Sequence, residues 1–139
     1  MIMRHDDCIF CKIANGEIPS ATIYEDDDFR AFLDLNPATR GHALLVPKDH
    51  FANLLELDEE HAEKAILLAK KIGSRMKEKL GCDGLNLVQN NGEAAGQTVF
   101  HFHMHLIPRY KDDHAGILWE PGKTTPEEME EIKKLVNED

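Results

Sequence analysis

Three histidines alternate with apolar residues in the segment His101-Phe102-His103-Met104-His105. Imidazole binds metal ions, exchanges protons near neutral pH and attacks electrophiles, so these residue types point to metal, acid–base or nucleophilic chemistry. Side chains alternate between the two faces of a strand, whereas residues two apart on a helix diverge by about 200°. The spacing therefore predicts a strand with the imidazoles on one face. Its other face is expected to be a buried apolar one, with Phe100, Phe102, Met104 and Leu106.

Strand geometry limits how many of these histidines can share one metal ion. Side chains two positions apart are separated by about 7 Å, and His101 and His105 by about 13 Å. Because zinc–nitrogen bonds are about 2 Å long, two neighbouring imidazoles can converge on an ion but three from a straight strand cannot. At least one histidine is therefore available for chemistry. The pattern alone leaves three hypotheses open: plain surface histidines, ligands of a metal-dependent hydrolase, and groups that transfer protons.

Cysteine supplies a second set of chemically active side chains. Cys8 and Cys11 form a Cys-x-x-Cys pair in a chain whose first residues are charged and carry no export signal. This context favours metal binding or thiol redox chemistry over a structural disulfide. Cys82, which stands alone, is predicted to be a plain buried thiol.

Composition narrows the class of protein and of partner. The 139 residues are 42% hydrophobic, which suffices for one domain with a core, and carry a formal net charge of −10. That charge repels a nucleic-acid backbone and gives an anionic membrane surface nothing to bind, although backbone N–H groups can still hold one phosphate. No apolar run approaches the roughly 18 residues that span a bilayer. The composition predicts a cytoplasmic protein without polymeric nucleic acid or membrane partners.

Several short strands and two helices are predicted to position these groups. Strands are expected over residues 21–25, 29–33, 42–46, 85–89 and 98–109, with a glycine-containing loop over 90–97. Because strands dominate the first half and follow each other closely, the pattern favours an antiparallel α+β sheet over a βαβ fold.

The helices are identified by their caps and apolar stripes. A short helical turn is expected at residues 8–14, and Asp58 and Gly81 delimit a long helix. Its buried stripe is predicted to be Ala62, Ala65, Ile66, Ala69, Ile72, Met76 and Leu80. Thr125, Pro126 and Glu128 form a capping box that begins a C-terminal helix. The buried stripe of that helix is predicted to be Met129, Ile132, Leu135 and Val136.

Residues 101–107 resemble the signature of the histidine-triad (HIT) family, in which three histidines alternate with apolar residues. Other segments follow the family's order: Ala31-Phe32-Leu33-Asp34, Gly41-His42 before Val46-Pro47-Lys48, Asn90-Asn91-Gly92 and Gly96-Gln97-Thr98. The resemblance covers about residues 8–110. It implies a HIT-like α+β fold, with a five-stranded antiparallel sheet, one long helix and one C-terminal helix, in a single domain over 1–139.

The resemblance also implies an activity. HIT proteins hydrolyse or transfer nucleotides substituted at the α-phosphate, such as nucleoside phosphoramidates, aminoacyl-adenylates or dinucleoside polyphosphates. The middle histidine, here His103, attacks phosphorus to give a nucleotidyl-histidine intermediate, which suits a neutral imidazole. The resemblance also implies that His105 contacts the phosphate and assists the leaving group. His42 is expected to hydrogen-bond within the histidine cluster, and His101 to position the cluster.

The family's nucleotide site maps onto further residues. Asn90, Gln97 and Thr98 are expected to donate hydrogen bonds to phosphate oxygens, and Asp34 to bind the ribose hydroxyls. The walls of the base site are expected to be Phe10, Ile13, Phe32 and Leu33. A small purine nucleotide such as AMP is the implied ligand.

Some family members bind zinc through a cysteine pair, a downstream histidine and the first histidine of the triad. The matching residues are Cys8, Cys11, His50 and His101. Such a Cys₂His₂ set fills a tetrahedron, so the expected ion is structural and none is needed for the chemistry. HIT proteins of this type are homodimers through the long helix and a strand, which is the expectation here.

The C-terminus departs from one family branch, because Trp119-Glu120-Pro121-Gly122 replaces a terminal Trp-Pro-Pro-Gly and is followed by a further helix.

Two alternatives to an enzyme of this family are left open by the sequence. One is a nucleotide-binding regulatory module with little turnover. The other is a metal-dependent hydrolase of another fold that uses the histidine row as ligands.

Overall fold

The computed structural model describes residues 4–138. Five strands form an antiparallel sheet of order β1-β2-β3-β5-β4. The strands are β1 (Thr22–Glu25), β2 (Phe29–Leu33), β3 (Ala43–Pro47), β4 (Gly84–Val88) and β5 (Met104–Arg109). The helices are α1 (Ile9–Ala14), α2 (Glu59–Leu80) and α3 (Pro126–Asn137), with a short 3₁₀ turn at Glu93–Ala95. The predicted α+β class, with one long and one C-terminal helix, is confirmed.

Helix α2 packs on one face of the sheet and buries the larger core cluster. Asp58 caps its first turn by accepting from the His61 N–H, and Gly81 ends it in a left-handed conformation (φ 67°). The prediction that Ile66 belongs to the buried stripe is wrong. The Ile66 side chain is 53% exposed, and Leu68 is buried in its place. The reason is that the sheet contacts a narrow strip of the helix through Ala65, Leu68, Ala69, Ile72 and Met76.

Helix α1 lies on the opposite face of the sheet and packs over β2 and β3. Phe10 and Ala14 of this helix form a second cluster with Phe32, Leu44 and Val46. The alternation of β2 sends Phe29 and Ala31 to the α2 side and Phe32 to the α1 side. The two faces of the sheet therefore carry separate cores.

The predicted strand over residues 98–109 is shorter than expected, since β5 begins only at Met104. Before that point the Phe102 N–H donates to the carbonyl of Phe51 (2.6 Å), in the loop before α2, so the segment leaves the sheet ladder. The alternation of sides persists: Phe102 packs in the α2 core, while His101 and His103 contact Phe10. Phe100 was predicted to be buried but is 50% exposed, because it precedes this anchored stretch.

The predicted start of helix α3 is confirmed, but its predicted burial is wrong. Thr125 accepts from the Glu128 N–H and Pro126 is the first helical residue. Four side chains of α3 were expected to be buried but are exposed, because nothing in residues 4–138 packs against them: Met129, Ile132, Leu135 and Val136.

Cys82, the cysteine outside the Cys-x-x-Cys pair, is buried as predicted. Among the described residues, no helix is both long enough and apolar enough to cross a bilayer.

Candidate active site and metal centre

His42 and His105 are joined by a hydrogen bond at the centre of the sheet. His42 immediately precedes β3, and His105 of β5 pairs with Leu44 of β3, so the two strands bring the rings together. His42 Nε2 lies 2.9 Å from His105 Nδ1, and the Ala38 N–H donates to His42 Nδ1 at 2.9 Å. Since Nδ1 of His42 accepts, its proton is on Nε2 and is donated to His105. The remaining proton of neutral His105 is therefore on Nε2.

His103 has the complementary protonation. Its Nδ1 lies 2.7 Å from the carbonyl oxygen of His101, an acceptor only, so Nδ1 carries the proton and Nε2 has a free lone pair. The ring packs edge-on against Phe10, with centroids 4.9 Å apart, and against His105, with centroids 5.1 Å apart. A nucleophilic nitrogen and an N–H donor thus lie on neighbouring rings.

Burial keeps this cluster uncharged. Removal from water lowers the pKa values of His42, His103 and His105 below the ordinary value of 6.5, that of His105 to about 4. Charge repulsion from His103 and His42 adds to the effect at His105, and the Asp34 carboxylate opposes it. All three rings are therefore neutral at neutral pH, which is the form in which imidazole attacks.

The four predicted zinc ligands converge on one point. Their donor atoms, two sulfurs and two Nδ1 atoms, all lie within 4.8 Å of one another in the set Cys8, Cys11, His50 and His101. The distances from His101 Nδ1 to the sulfurs of Cys8 and Cys11 are 3.3 and 3.4 Å. Tetrahedral zinc with bonds of 2.3 Å to sulfur and 2.0–2.1 Å to nitrogen separates such atoms by roughly 3.5 Å, so the spacing fits a metal.

The environment of His101 also fits metal binding. This ring is fully buried, and its Nε2 donates to the carbonyl of Pro47 at 2.8 Å, which leaves the Nδ1 lone pair facing the cysteine sulfurs. A hydrogen bond on the far nitrogen is the usual orientation of a metal-binding histidine. Burial raises the pKa of the Cys11 thiol to about 11, whereas redox-active cysteines have a lowered pKa. His50 is held by stacking on His5, with centroids 3.7 Å apart.

The predicted ribose ligand Asp34 lies beside the histidine cluster. One carboxylate oxygen is 3.6 Å from His42 Nε2 and the other accepts from the Asn36 N–H. Asp34, His42 and His105 together form a second group with ligand atoms within 4.8 Å. His101 thus belongs to one group and His105 to the other, which agrees with the prediction from strand spacing that the three histidines of the signature do not share one ion.

Of the predicted base-site residues, three lie together and one does not. Phe10, Ile13 and Phe32 are packed in the cluster beside His103. Leu33 follows Phe32 on the same strand, so its side chain lies on the opposite face, in a groove against α2. The prediction of Leu33 as a base contact is therefore wrong.

The loop with Asn90, Gln97 and Thr98 curves past the metal-ligand group. Thr98 is exposed and lines a cavity with Cys8 and His50, and Asn90 is half-buried. The buried amide of Gln97 donates to the carbonyls of Ala52 and Val99 and accepts from the Gly92 N–H. Since both of its N–H groups have protein acceptors, Gln97 braces the loop in this conformation.

Fold and site together define an α+β protein in which a neutral histidine cluster adjoins a Cys₂His₂ metal-ligand set. The HIT domain family model matches residues 15–112, and the chain belongs to the HIT family.

Relatives and solved structures agree with this assignment. The chain is 43% identical over 134 residues to Protein hit of Bacillus subtilis, covering 94% of this chain and 92% of that one. It is 38% identical over 131 residues to the adenosine 5'-monophosphoramidase of Schizosaccharomyces pombe, with 94% and 96% covered.

Two crystal structures illustrate the likeness in three dimensions. A Streptococcus mutans protein superposes with a TM-score of 0.90 at 40% identity, over 96% of this chain and 85% of that one. A zinc-bound histidine triad family protein from Mycobacterium smegmatis gives a TM-score of 0.76 at 38% identity, with 84% of each chain covered.

Proposed function

We propose that this protein is a nucleotide hydrolase that removes a substituent from the α-phosphate of a purine nucleotide through a nucleotidyl intermediate on His103. The observation that carries this proposal is the pair of complementary tautomers: a lone pair on His103 Nε2 and an N–H on the neighbouring His105 Nε2. The name of the Schizosaccharomyces pombe relative supports a phosphoramidate such as adenosine 5'-phosphoramidate as substrate.

The geometry supports a two-step reaction. In the first step His103 Nε2 forms a bond to phosphorus, and the bond from phosphorus to the leaving group breaks; an amine leaves with a proton taken up from solvent. The ring gains positive charge, which the His101 carbonyl stabilises through its hydrogen bond to Nδ1. His105 Nε2–H donates to the departing or phosphoryl atoms. Water then attacks phosphorus and the phosphorus–nitrogen bond breaks, which releases the nucleoside monophosphate, returns a proton to solvent and restores neutral His103.

The nucleotide itself is proposed to lie between α1 and the loop over residues 90–98. Asp34 would accept hydrogen bonds from the ribose hydroxyls, and Phe10, Ile13 and Phe32 would wall the base. Asn90 and Thr98 would donate to phosphate oxygens, with Gln97 fixing the loop that carries them. AMP is the product we expect.

A zinc ion held by Cys8, Cys11, His50 and His101 is proposed as a structural cofactor. Four protein ligands leave no open position, so the ion would stabilise the contact between the N-terminal segment and the His101 carbonyl without activating water. The zinc-bound Mycobacterium smegmatis neighbour supports this proposal.

We further propose that the chain is one HIT domain over 1–139, of which 1–3 and 139 lie outside the described residues, and that it is a cytoplasmic homodimer. The flank of α2 next to β4, and β4 itself, expose apolar side chains that suit an interface. These are Ile66, Leu85 and Leu87. Buried apolar surface of this kind is typical of homodimers.

The test is hydrolysis of adenosine 5'-phosphoramidate by wild-type protein and by His103→Ala. We expect the variant to lose activity by roughly 10³-fold or more while it still binds AMP in calorimetry. His114→Asn is the matched control, because His114 is exposed, lies outside the site and has a positive φ (57°) that asparagine tolerates. An unchanged rate in His103→Ala would overturn the mechanism. Negligible turnover by wild-type protein on every substrate class would instead favour a binding module.

A further inference from the structure

Helix α3 is a twelve-residue amphipathic helix, and no residue in the described range 4–138 packs on its apolar face. Met129, Ile132, Leu135 and Val136 recur at three- and four-residue spacing along one side and are between 49% and 76% exposed. Leu118 and Trp119, in the segment that leads to it, are 91% and 84% exposed. Isolated helices of this length are marginal in water, so α3 needs a surface that covers this stripe.

A groove of matching character runs along α2 on the side nearest β1. Its volume is about 740 Å³, and its apolar floor includes Leu33, Ile72 and Leu80. Its α2 wall extends from Lys71 to Leu80, roughly 14 Å at a rise of 1.5 Å per residue, while α3 is about 18 Å long. The groove can therefore hold two to three turns of a helix.

The charges of the two surfaces are complementary. Four cations surround the groove, namely Arg40, Lys71, Arg75 and Lys79. Helix α3 carries four glutamates against two lysines, and Glu128 and Glu131 lie along the Leu135 side of its apolar stripe. An acidic amphipathic helix is thus the occupant that this groove fits.

A hydrogen-bonded turn follows β5 and determines where the segment that leads to α3 leaves the sheet. Arg109 binds both carboxylate oxygens of Asp113 and the carbonyl of Ala115, and Asp113 also accepts from the N–H groups of Tyr110 and Ala115. This turn fixes where the segment leaves the sheet, and from there to Pro126 it can extend by up to roughly 40 Å. In the resulting conformation every described residue of α3 stays exposed and the groove of the same chain stays open.

We propose that α3 of one copy of this chain binds in the α2 groove of a second copy. Each copy then donates one helix and receives one, which closes under two-fold symmetry. The exchange covers the apolar stripe of α3 and the floor of the groove in a single step. Its contact surface lies on the flank of α2 that faces β1, away from Ile66, Leu85 and Leu87, the exposed residues proposed above for the homodimer.

Cross-linking between two differently tagged, co-expressed full-length chains tests this proposal. One chain carries Leu135→Cys on the apolar face of α3, and the other carries Arg75→Cys at the groove. We expect a short thiol cross-linker to join the two tags, and Ile132→Glu added to the first chain to lower the yield at least about tenfold, because it removes a buried apolar contact. Each cysteine variant expressed alone gives the background from Cys8, Cys11 and Cys82.

The matched control is Glu130→Cys, on the opposite face of the same helix. Equal yields for Leu135→Cys and Glu130→Cys, or no product above background, would overturn the proposal. A chain that carries both Leu135→Cys and Arg75→Cys shows whether α3 binds the groove of its own chain or the groove of a second copy. Cross-linked monomer from this chain, without product between chains, would show that α3 binds its own groove and would also overturn it.

Discussion

His42 donates the proton on its Nε2 to Nδ1 of His105 across 2.9 Å, and this single hydrogen bond determines which nitrogen of His105 faces the reaction. The direction of this hydrogen bond is determined on the other side of the His42 ring. The Ala38 N–H donates to Nδ1 of His42, so the His42 proton must be on Nε2. His105 consequently presents a donor beside the lone pair of His103. Two neutral histidines with opposite tautomers therefore result from two backbone contacts and the His42 side chain.

The tautomers and charge of the cluster can be measured directly. We expect nitrogen-15 NMR spectra of the imidazoles at pH 5.5 to show His105 as the neutral Nε2–H form, because burial and its neighbours lower its pKa to about 4. The groups facing it are His42, His103 and the Asp34 carboxylate, of which only the carboxylate favours the charged ring. Observation of a charged His105 at pH 5.5, or of its Nδ1–H form, would contradict this assignment.

The same lowered pKa predicts how stability changes with pH. His105 titrates near 6.5 when unfolded and near 4 when folded, so the unfolded state binds more protons between these values. The free energy of unfolding must therefore fall as the pH is lowered from 6.5 to 4. Urea denaturation at several pH values measures this fall. In His105→Gln the dependence over that window should be smaller, and an identical dependence would show that His105 does not contribute.

Removal of the His42 contact should impair the chemical step more than binding. His42→Ala deletes the group that orients His105, and we expect kcat to fall by roughly 10²-fold with a smaller change in KM, since small misplacements of catalytic groups have costs of this size. Steady-state kinetics on adenosine 5'-phosphoramidate provides both parameters. His114→Asn again serves as control, and a change confined to KM would assign His42 to nucleotide binding.

Metal content should determine stability. Protein purified without chelator is expected to contain one zinc per chain, and Cys8→Ser/Cys11→Ser to contain none. Free zinc at 100 times its dissociation constant would stabilise the folded state by about 2.7 kcal/mol, which the double variant should lose in thermal or urea unfolding. Cys82→Ala is the matched control, because Cys82 is buried away from the ligand set. Less than half an ion per wild-type chain would contradict the zinc proposal.

Asp34 should discriminate nucleotides by their sugar. Asp34→Asn removes a charged acceptor, and we expect AMP binding to weaken by about 1.5–3 kcal/mol, or roughly 10- to 150-fold. Binding of 2',3'-dideoxy-AMP should change far less, because that ligand lacks both hydroxyls. Calorimetry with the two ligands makes the comparison, and Asp27→Asn on the exposed β1–β2 turn is the control. Equal weakening for both ligands would exclude a ribose contact.

Much of the site follows from sequence pattern because its residues lie in short, regular motifs. The alternation around His103 is predicted by spacing. The grouping of Cys8, Cys11, His50 and His101 is predicted by the family resemblance, and the structure brings these ligand atoms together. The start of β5 is not predictable from the alternation, because the alternation continues through an irregular stretch whose backbone bonds to Phe51.

Other features depend on contacts that no local pattern contains. The tautomers require the Ala38 N–H and the Pro47 carbonyl, which reach the rings only after the sheet has formed. The exposure of α3 reflects the lack of a packing partner within residues 4–138, whereas its periodicity indicates only that one face is apolar. The position of Leu33, in contrast, follows from local geometry, since Leu33 and its strand neighbour Phe32 cannot share a face.

His101 connects the two centres of the molecule. Its ring faces the cysteine sulfurs through one nitrogen and Pro47 through the other, while its own carbonyl holds the Nδ1 proton of His103. A lineage that lost the two cysteines would therefore lose part of the support of the proposed nucleophile His103 along with the proposed zinc site. Such a change would be tolerated only where another side chain came to hold residue 101, so that the evolutionary fates of the cysteine pair and of position 101 are coupled.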